Sequence, residues 1–322
     1  MLKLRKLGKT DLMISPLGLG CWQFAQGKGL FGNTWGIVGD EEIREIVRLS
    51  LDGGTNWFDS AEGYGGGQSE RALAKALKSL AVRPEDVVVA TKWLPLFRTA
   101  ASLRKTIDDR LAALGGYPLS LHQIHTPHSL SSTRAQMEAM ADLVEAKKIR
   151  HVGVSNFSAA KMRLAHDELG RRGIPLASNQ VRLSLLDRSI EKNGILEAAR
   201  ELGISIIGYS PLAQGILTGR YHVNPGLIKT KPGFRKFMSS FKAKGLEKSR
   251  PVIKALREVA ARHGRTPAQV ALNWLAHFYG ETVVAIPGAT KASQAQENAA
   301  SLAFELTRDE LDYLDRVSAA IK

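Results

Sequence analysis

A chain of 322 residues, 44% of them hydrophobic, can bury one large core, and α/β barrels of this length form as one unit, so residues 1–322 are expected to make a single barrel domain. The lone cysteine, Cys21, excludes an internal disulfide, and neither the charged start MLKLRKLGKT nor any later stretch offers a signal sequence or the ~20 apolar residues of a membrane span. The formal charge of +14 is scattered over helix exteriors such as RKTIDDR and ARELG without a recognition motif, which argues against nucleic acid and for a soluble cytoplasmic protein with a basic surface.

Residues 2–15 read as a short hairpin turning at Gly8 to Asp11, suited to plugging the bottom of a barrel. Eight apolar strand candidates follow: LGLG at 17–20, TNWF at 55–58, VVVAT at 87–91, LHQI at 121–124, RHVGV at 150–154, LASNQ at 176–180, ISIIG at 204–208 and TVVAI at 282–286. Between them lie segments of helical period. In EEIREIVRLSLDGG, Ile43, Ile46, Val47, Leu49 and Ser50 form the inward stripe, and Gly53 with Gly54 ends the helix. Further helices are expected at 68–79, 101–114, 132–146, 158–170, 191–202, 249–262, 267–279 and 291–300. The stretch 211–245 has no strong period, is rich in Gly and carries Lys229, Lys231, Arg235, Lys236, Lys242 and Lys244; it reads as a functional flap. A last helix, TRDELDYLDRVSAA, has Thr307 as N-cap and Glu310 at capping-box spacing. Eight alternating units favour an α/β fold of the (β/α)8 TIM-barrel type, with an N-terminal hairpin, a long loop after the seventh strand and extra C-terminal helices.

Asp59, Lys92 and His125 are spaced 33 residues apart, each directly after a strand candidate, with Tyr64 just downstream of the first. One strand, its helix and two loops take about thirty residues, so equal intervals bring the three side chains to the same end of successive parallel strands. That end is where barrel chemistry sits. Singly, each has a plainer reading: Asp59 as a helix cap, Tyr64 as a loop aromatic among glycines, Lys92 as a snorkelling lysine. Together they read as a catalytic cluster. His122, His125 and His128 raise a metal-site alternative, but strand positions three apart face opposite sides, and His122 is expected to be a satisfied histidine facing the helices. Nothing in the sequence pairs Cys21 with a base.

The segments FDSAEGYGGGQSERALAKAL, TKW, LHQIHTP, IRHVGVSNF, SNQ, GYSPLAQGILTGRY and IPGAT with QENAAS together resemble the aldo-keto reductases, in order and over nearly the whole chain. The resemblance implies a TIM-barrel enzyme that reduces small aldehydes and ketones with NADPH, or less often NADH, without metal or flavin. It implies Tyr64 as the acid, Lys92 as the cation that lowers the phenol pKa, Asp59 as the partner of that lysine, and His125 as a second group at the carbonyl oxygen. By the same resemblance Ser155, Asn156 and Gln180 meet the nicotinamide carboxamide, and Tyr209 stacks on its ring. Ser210, Leu212, Gln214 and Gly215 would then lie at the pyrophosphate, with a short helix N-terminus. Gly288, Thr290, Gln294, Glu297 and Asn298 would lie toward the adenosine, with Glu297 and Asn298 the candidates for the adenine.

Many relatives carry cations near the ribose 2′-phosphate where this chain has Gly288, Ala289 and Gln294. Lys291 or a lysine of the long loop is the expected substitute. The pattern is closest to the branch of bacterial sugar, pyridoxal and aldehyde reductases and potassium-channel β-subunits. A nucleotide-sensing regulatory subunit is therefore the alternative to an enzyme. Trp22, Phe24, Trp35, Trp93 and Phe97 are expected to line an apolar funnel suited to aromatic or medium-chain aldehydes, with sugars and pyridoxal open.

Overall fold

A computed structural model describes residues 3–27 and 34–321, apart from the side chains of Phe234 and Arg235. Eight parallel strands pair in chain order: β3 Leu19–Gly20, β4 Trp57–Asp59, β5 Val88–Trp93, β6 Leu119–Ile124, β7 His151–Ser155, β8 Leu176–Arg182, β9 Ser205–Tyr209 and β10 Val283–Ile286. Parallel bridges from Leu17 to Ala285 and from Gly20 to Gly288 bring the last strand back to the first, so the sheet is nearly closed as a (β/α)8 barrel.

The hairpin of β1 Arg5–Lys6 and β2 Met13–Ile14 caps one end. It plugs the barrel because Leu7, Leu12 and Ile14 pack with the inward residues Trp57, Ala90, Leu121, Ala177, Ile207 and Val284. Outward strand residues meet a ring of helices: α1 Asp40–Asp52, α2 Gln68–Ser79, α3 Ala101–Leu114, α4 Thr133–Glu145, α5 Ala159–Gly170, α6 Ile195–Leu202, α8 Ala243–His263, α9 Pro267–Phe278, α10 Ala292–Ala299 and α11 Arg308–Ala319, while the single turn α7 Arg220–Val223 lies in the segment after β9. In α1 the stripe Ile43, Ile46, Val47 and Ser50 is buried, as the helical period requires. The capping box of α11, Thr307 with Glu310, is formed.

Most boundaries fall close to the expected ones, and the helices expected at 191–202 and 249–262 depart furthest. The helix expected over 191–202 begins only at Ile195, because Gly194 takes φ +78° and separates it from a 3₁₀ turn at Ser189–Glu191. The segment 211–245 is a chain of short helical turns, and α8 starts at Ala243, six residues before the expected 249. Its first turns are largely polar; what holds them is Leu246, which packs with Ile216, Tyr221 and Phe241 in a satellite cluster.

Candidate active site

The ends of β4, β5 and β6 bring the spaced residues together. Lys92, fully buried, donates from Nζ to Asp59 Oδ1 and to the Ser60 carbonyl at 2.8 Å. Asp59 Oδ2 accepts from Gln123 Nε2 at 2.9 Å and from Gln180 Nε2 at 3.0 Å, so the carboxylate is satisfied on both oxygens. The Tyr64 ring centroid lies 5.1 Å from Lys92 Nζ, stacks on Trp22 at 5.7 Å and meets the His125 ring edge-on at 5.6 Å.

The tyrosine loop is fastened from behind. The Ser69 amide donates to the Tyr64 carbonyl at 3.1 Å, and Ser69 Oγ bridges from Ser60 Oγ to the Cys21 carbonyl at 2.8 and 2.6 Å. The next residue, Glu70, is fully buried, accepts from Arg110 Nη1 at 2.7 Å and binds the hydroxyl of Thr91, the neighbour of Lys92. The segments bearing Tyr64 and Lys92 are thereby clamped together outside the barrel.

Burial works against the Lys92 charge, but Asp59 and Tyr64 outweigh it and hold the lysine pKa above its ordinary value. For Tyr64 the balance runs opposite to the sequence expectation: burial raises the phenol pKa, and Lys92 only counteracts it, because the phenol lies among desolvated groups. Burial, helped by Lys92, pushes His125 down to about 3, so the ring is neutral at ordinary pH. Its buried Nδ1 has no hydrogen-bond partner, leaving Nε2 as the nitrogen accessible from the cleft. Burial drives the Cys21 thiol pKa up, which keeps it protonated beside Asp59.

From Tyr64 and His125 a cleft of about 910 Å³ runs over the strand ends to α10. Its walls include Ser155, Asn156, Gln180, Tyr209, Ser210, Leu212, Gln214, Gly215, Gly288, Thr290, Gln294, Glu297 and Asn298. The backbone along it is unusual: Asn156, Ser210, Ala213 and Gln214 adopt φ between 47° and 60° without being glycine. The helix expected to start here is instead a 3₁₀ stretch, Ala213–Thr218, broken at Gln214 and Gly215 by left-handed residues. Tyr209 Oη donates to Asn156 Oδ1 at 3.1 Å, and Gln294 Oε1 accepts from the Thr290 amide at 2.8 Å. Gln214 Oε1 and Asn298 Nδ2 are buried without partners, so the wall offers an acceptor and a donor at two points along its length. An elongated polar molecule with an aromatic end fits such a wall, and a nicotinamide dinucleotide is one.

The family model for the aldo/keto reductase family matches residues 16–319. The chain belongs to the aldo/keto reductase family. It is 34% identical to the chloroplastic pyridoxal reductase of Arabidopsis thaliana over 95% of this chain and 84% of that one. Its fold is similar to the glycerol dehydrogenase of Gluconobacter oxydans, with TM-score 0.82, 28% identity and coverage of 99% and 96%. It is also similar to an aldo-keto reductase from Klebsiella pneumoniae in complex with NADPH, with TM-score 0.74, 25% identity and coverage of 99% and 96%. This aldo-keto reductase is an oxidoreductase of carbonyl compounds that uses a reduced nicotinamide dinucleotide. The regulatory-subunit alternative draws no support from these relatives.

The expected apolar funnel needs correction. Trp22 and Trp35 line the cleft, but Phe24 and Trp93 are buried in the core at 0% and 1% exposure, and Phe97 points to solvent at 83%. Phe24 sits in a 3₁₀ turn and Trp93 is the outward residue after Lys92, so alternation turns it toward the helices. Leu94, Thr126, Arg182, Arg220, Tyr221 and Lys231 of this chain line the cleft as well. Gln123 and Arg182 were legible in principle, since each lies two residues from a singled-out strand residue and shares its face. His122 does face the helices, but its Nδ1 has no hydrogen-bond partner, so it is less satisfied than expected. Among the described residues no three His, Cys, Asp or Glu side chains are grouped so as to hold a metal ion. No helix among them is long and apolar enough to cross a membrane.

Proposed function

We propose that the protein reduces small aldehydes and ketones in the cytoplasm as one barrel domain spanning 1–322, with Tyr64 as general acid and NADPH as the preferred reductant. The observation that carries the reading is the buried Asp59–Lys92 pair set against a phenol that opens on the cleft beside a neutral histidine. When bound, the dinucleotide supplies the hydride that reduces the carbonyl carbon. Tyr64 gives its proton to the carbonyl oxygen, and the phenolate left behind is stabilised by the Lys92 ammonium, which Asp59 keeps charged. His125, neutral, orients the carbonyl through Nε2 without adding a charge.

Ser155, Asn156 and Gln180 would hold the carboxamide, and Tyr209 would support the ring. Gln180 is already spent in part on Asp59, which links the carboxamide position to the catalytic carboxylate. Ser210, Leu212, Gln214 and Gly215 would surround the pyrophosphate, and Gly288, Thr290, Gln294, Glu297 and Asn298 the adenosine. Preference for NADPH is supported by the Klebsiella pneumoniae relative and by the cations Lys231 and Lys291 in the cleft wall. The test is oxidation of NADPH and of NADH over a panel of aldehydes, ketones, sugars and pyridoxal. Turnover of some members with Tyr64-dependent kinetics supports the reading; nucleotide binding without turnover of any would overturn it.

A further inference from the structure

On β8 the Gln180 side chain reaches Asp59 at 3.0 Å, so this residue points into the barrel at its catalytic end. Strand residues two apart share a face, which puts Arg182 on the same wall, one rung nearer the mouth. Its guanidinium lies 5.9 Å from the Tyr209 ring centroid. Tyr209 bonds Asn156, whose amide nitrogen lies 3.4 Å from the His125 carbonyl oxygen. Arg182 therefore borders the groups around His125, at the reacting end of the cleft.

The other cations of the wall lie elsewhere. Arg220 donates to the Tyr221 hydroxyl at 2.6 Å, Lys231 lies 4.5 Å from the Tyr221 and Phe241 ring centroids, and Lys291 stands at the head of α10. Arg182 is exposed in the cleft and, among the described residues, makes no hydrogen bond or ion pair. The carboxylates among the described cleft residues are both engaged, Asp59 by Lys92 and Glu297 by the Thr266 hydroxyl at 2.5 Å. With three of the five expected aromatics absent from the wall, the reacting end is less apolar than a funnel for plain hydrocarbon aldehydes. A guanidinium with its planar fork of donors unspent is matched by carboxylate or phosphate oxygens.

We propose that Arg182 is a specificity-determining subsite for carbonyl substrates that carry an anionic group, which it holds while the carbonyl meets Tyr64 and His125. The proposal rests on the carbonyl-reductase reading. Its test compares kcat/KM for two pairs, 4-carboxybenzaldehyde against benzaldehyde and glyceraldehyde 3-phosphate against glyceraldehyde, in the wild type, Arg182→Met and Arg182→Lys. The wild type is expected to prefer the anionic member of at least one pair, and that pair identifies the anion. Arg182→Met should cut the charged-to-neutral ratio about tenfold, the scale of one charge-assisted contact, and Arg182→Lys should restore part of it. A ratio unmoved by Arg182→Met would overturn the proposal, as would a raised KM for NADPH with the ratio intact, which would assign the arginine to the dinucleotide. Calorimetric binding of benzoate against benzamide to the same variants needs no turnover. If these four aldehydes and the wider panel of ketones, sugars and pyridoxal were all left unreduced, the reductase reading would fall, while loss of benzoate preference in Arg182→Met would still decide the subsite.

Discussion

At the scale of single residues the site depends on where protons can rest. Tyr64→Phe keeps the ring stacked on Trp22 and removes only the hydroxyl, so reduction should fall roughly 10²- to 10⁴-fold while NADPH still binds. Near-normal turnover, measured at saturating substrate, would move the acid elsewhere. His122, buried, and His125, half-buried at the cleft, make a second prediction. Burial holds His122 and His125 each at about 3, against an ordinary value of 6.5. A pKa depressed in the folded state means that the unfolded chain binds the proton more tightly. Both residues thus contribute stability that is complete above pH 6.5 and is lost as pH falls toward 3. Denaturant midpoints should drop through this window, and more shallowly in His122→Gln. Parallel curves for the two proteins would show that His122 does not carry the effect.

At the scale of elements, strand ends are tied by charge and loops by close packing. Lys92→Met leaves Asp59 bonded to Gln123 and Gln180 but stripped of its cation inside the barrel. Breaking one side of a buried pair costs about 3 to 5 kcal/mol, and this variant should lose stability in that range together with most of its activity. Wild-type rates and an unchanged pH profile would disprove the pairing. The hairpin plug is tied differently. Gly8 has φ +57°, and a Cβ there would run into the Ala177 carbonyl at the barrel floor. Gly8→Ala should therefore cost about 1 kcal/mol or more, whereas Gly170→Ala, in α5 with nothing near its missing Cβ, should be neutral or stabilising. Equal melting temperatures for the two variants would remove the hairpin's role.

At the scale of the molecule, most of the +14 balance lies on the outer surface, and Arg182, Arg220, Lys231 and Lys291 are the basic residues that stand in the cleft wall. Gly288, Ala289 and Gln294 supply no cation, so the proposed preference for NADPH over NADH rests on Lys291 and Lys231; the side chain of Arg235, the third candidate, lies outside the described residues. Neutralising the responsible lysine should weaken NADPH by about tenfold with little change for NADH, and added salt should narrow the gap. Equal losses for both nucleotides in every variant would show that these cations do not read the 2′-phosphate.

Much of this was legible in the chain itself. Alternating apolar runs and helical stripes specify a barrel because each element must bury one face, and the 33-residue intervals bring Asp59, Lys92 and His125 to one rim because units of equal length repeat one geometry. Capping signals such as Thr307 with Glu310 act within a single turn and were equally readable. What depended on contacts between distant segments was not. Which loop aromatics face the cleft follows from loop conformation, so Trp22 and Trp35 do and Phe24 and Phe97 do not, whereas Trp93 turns away by the alternation of its strand. The start of α8 rests on Leu246 meeting Phe241 and Tyr221. The direction of the Tyr64 shift is a contest between desolvation and one nearby charge, and no local pattern encodes which of two opposing long-range terms is larger.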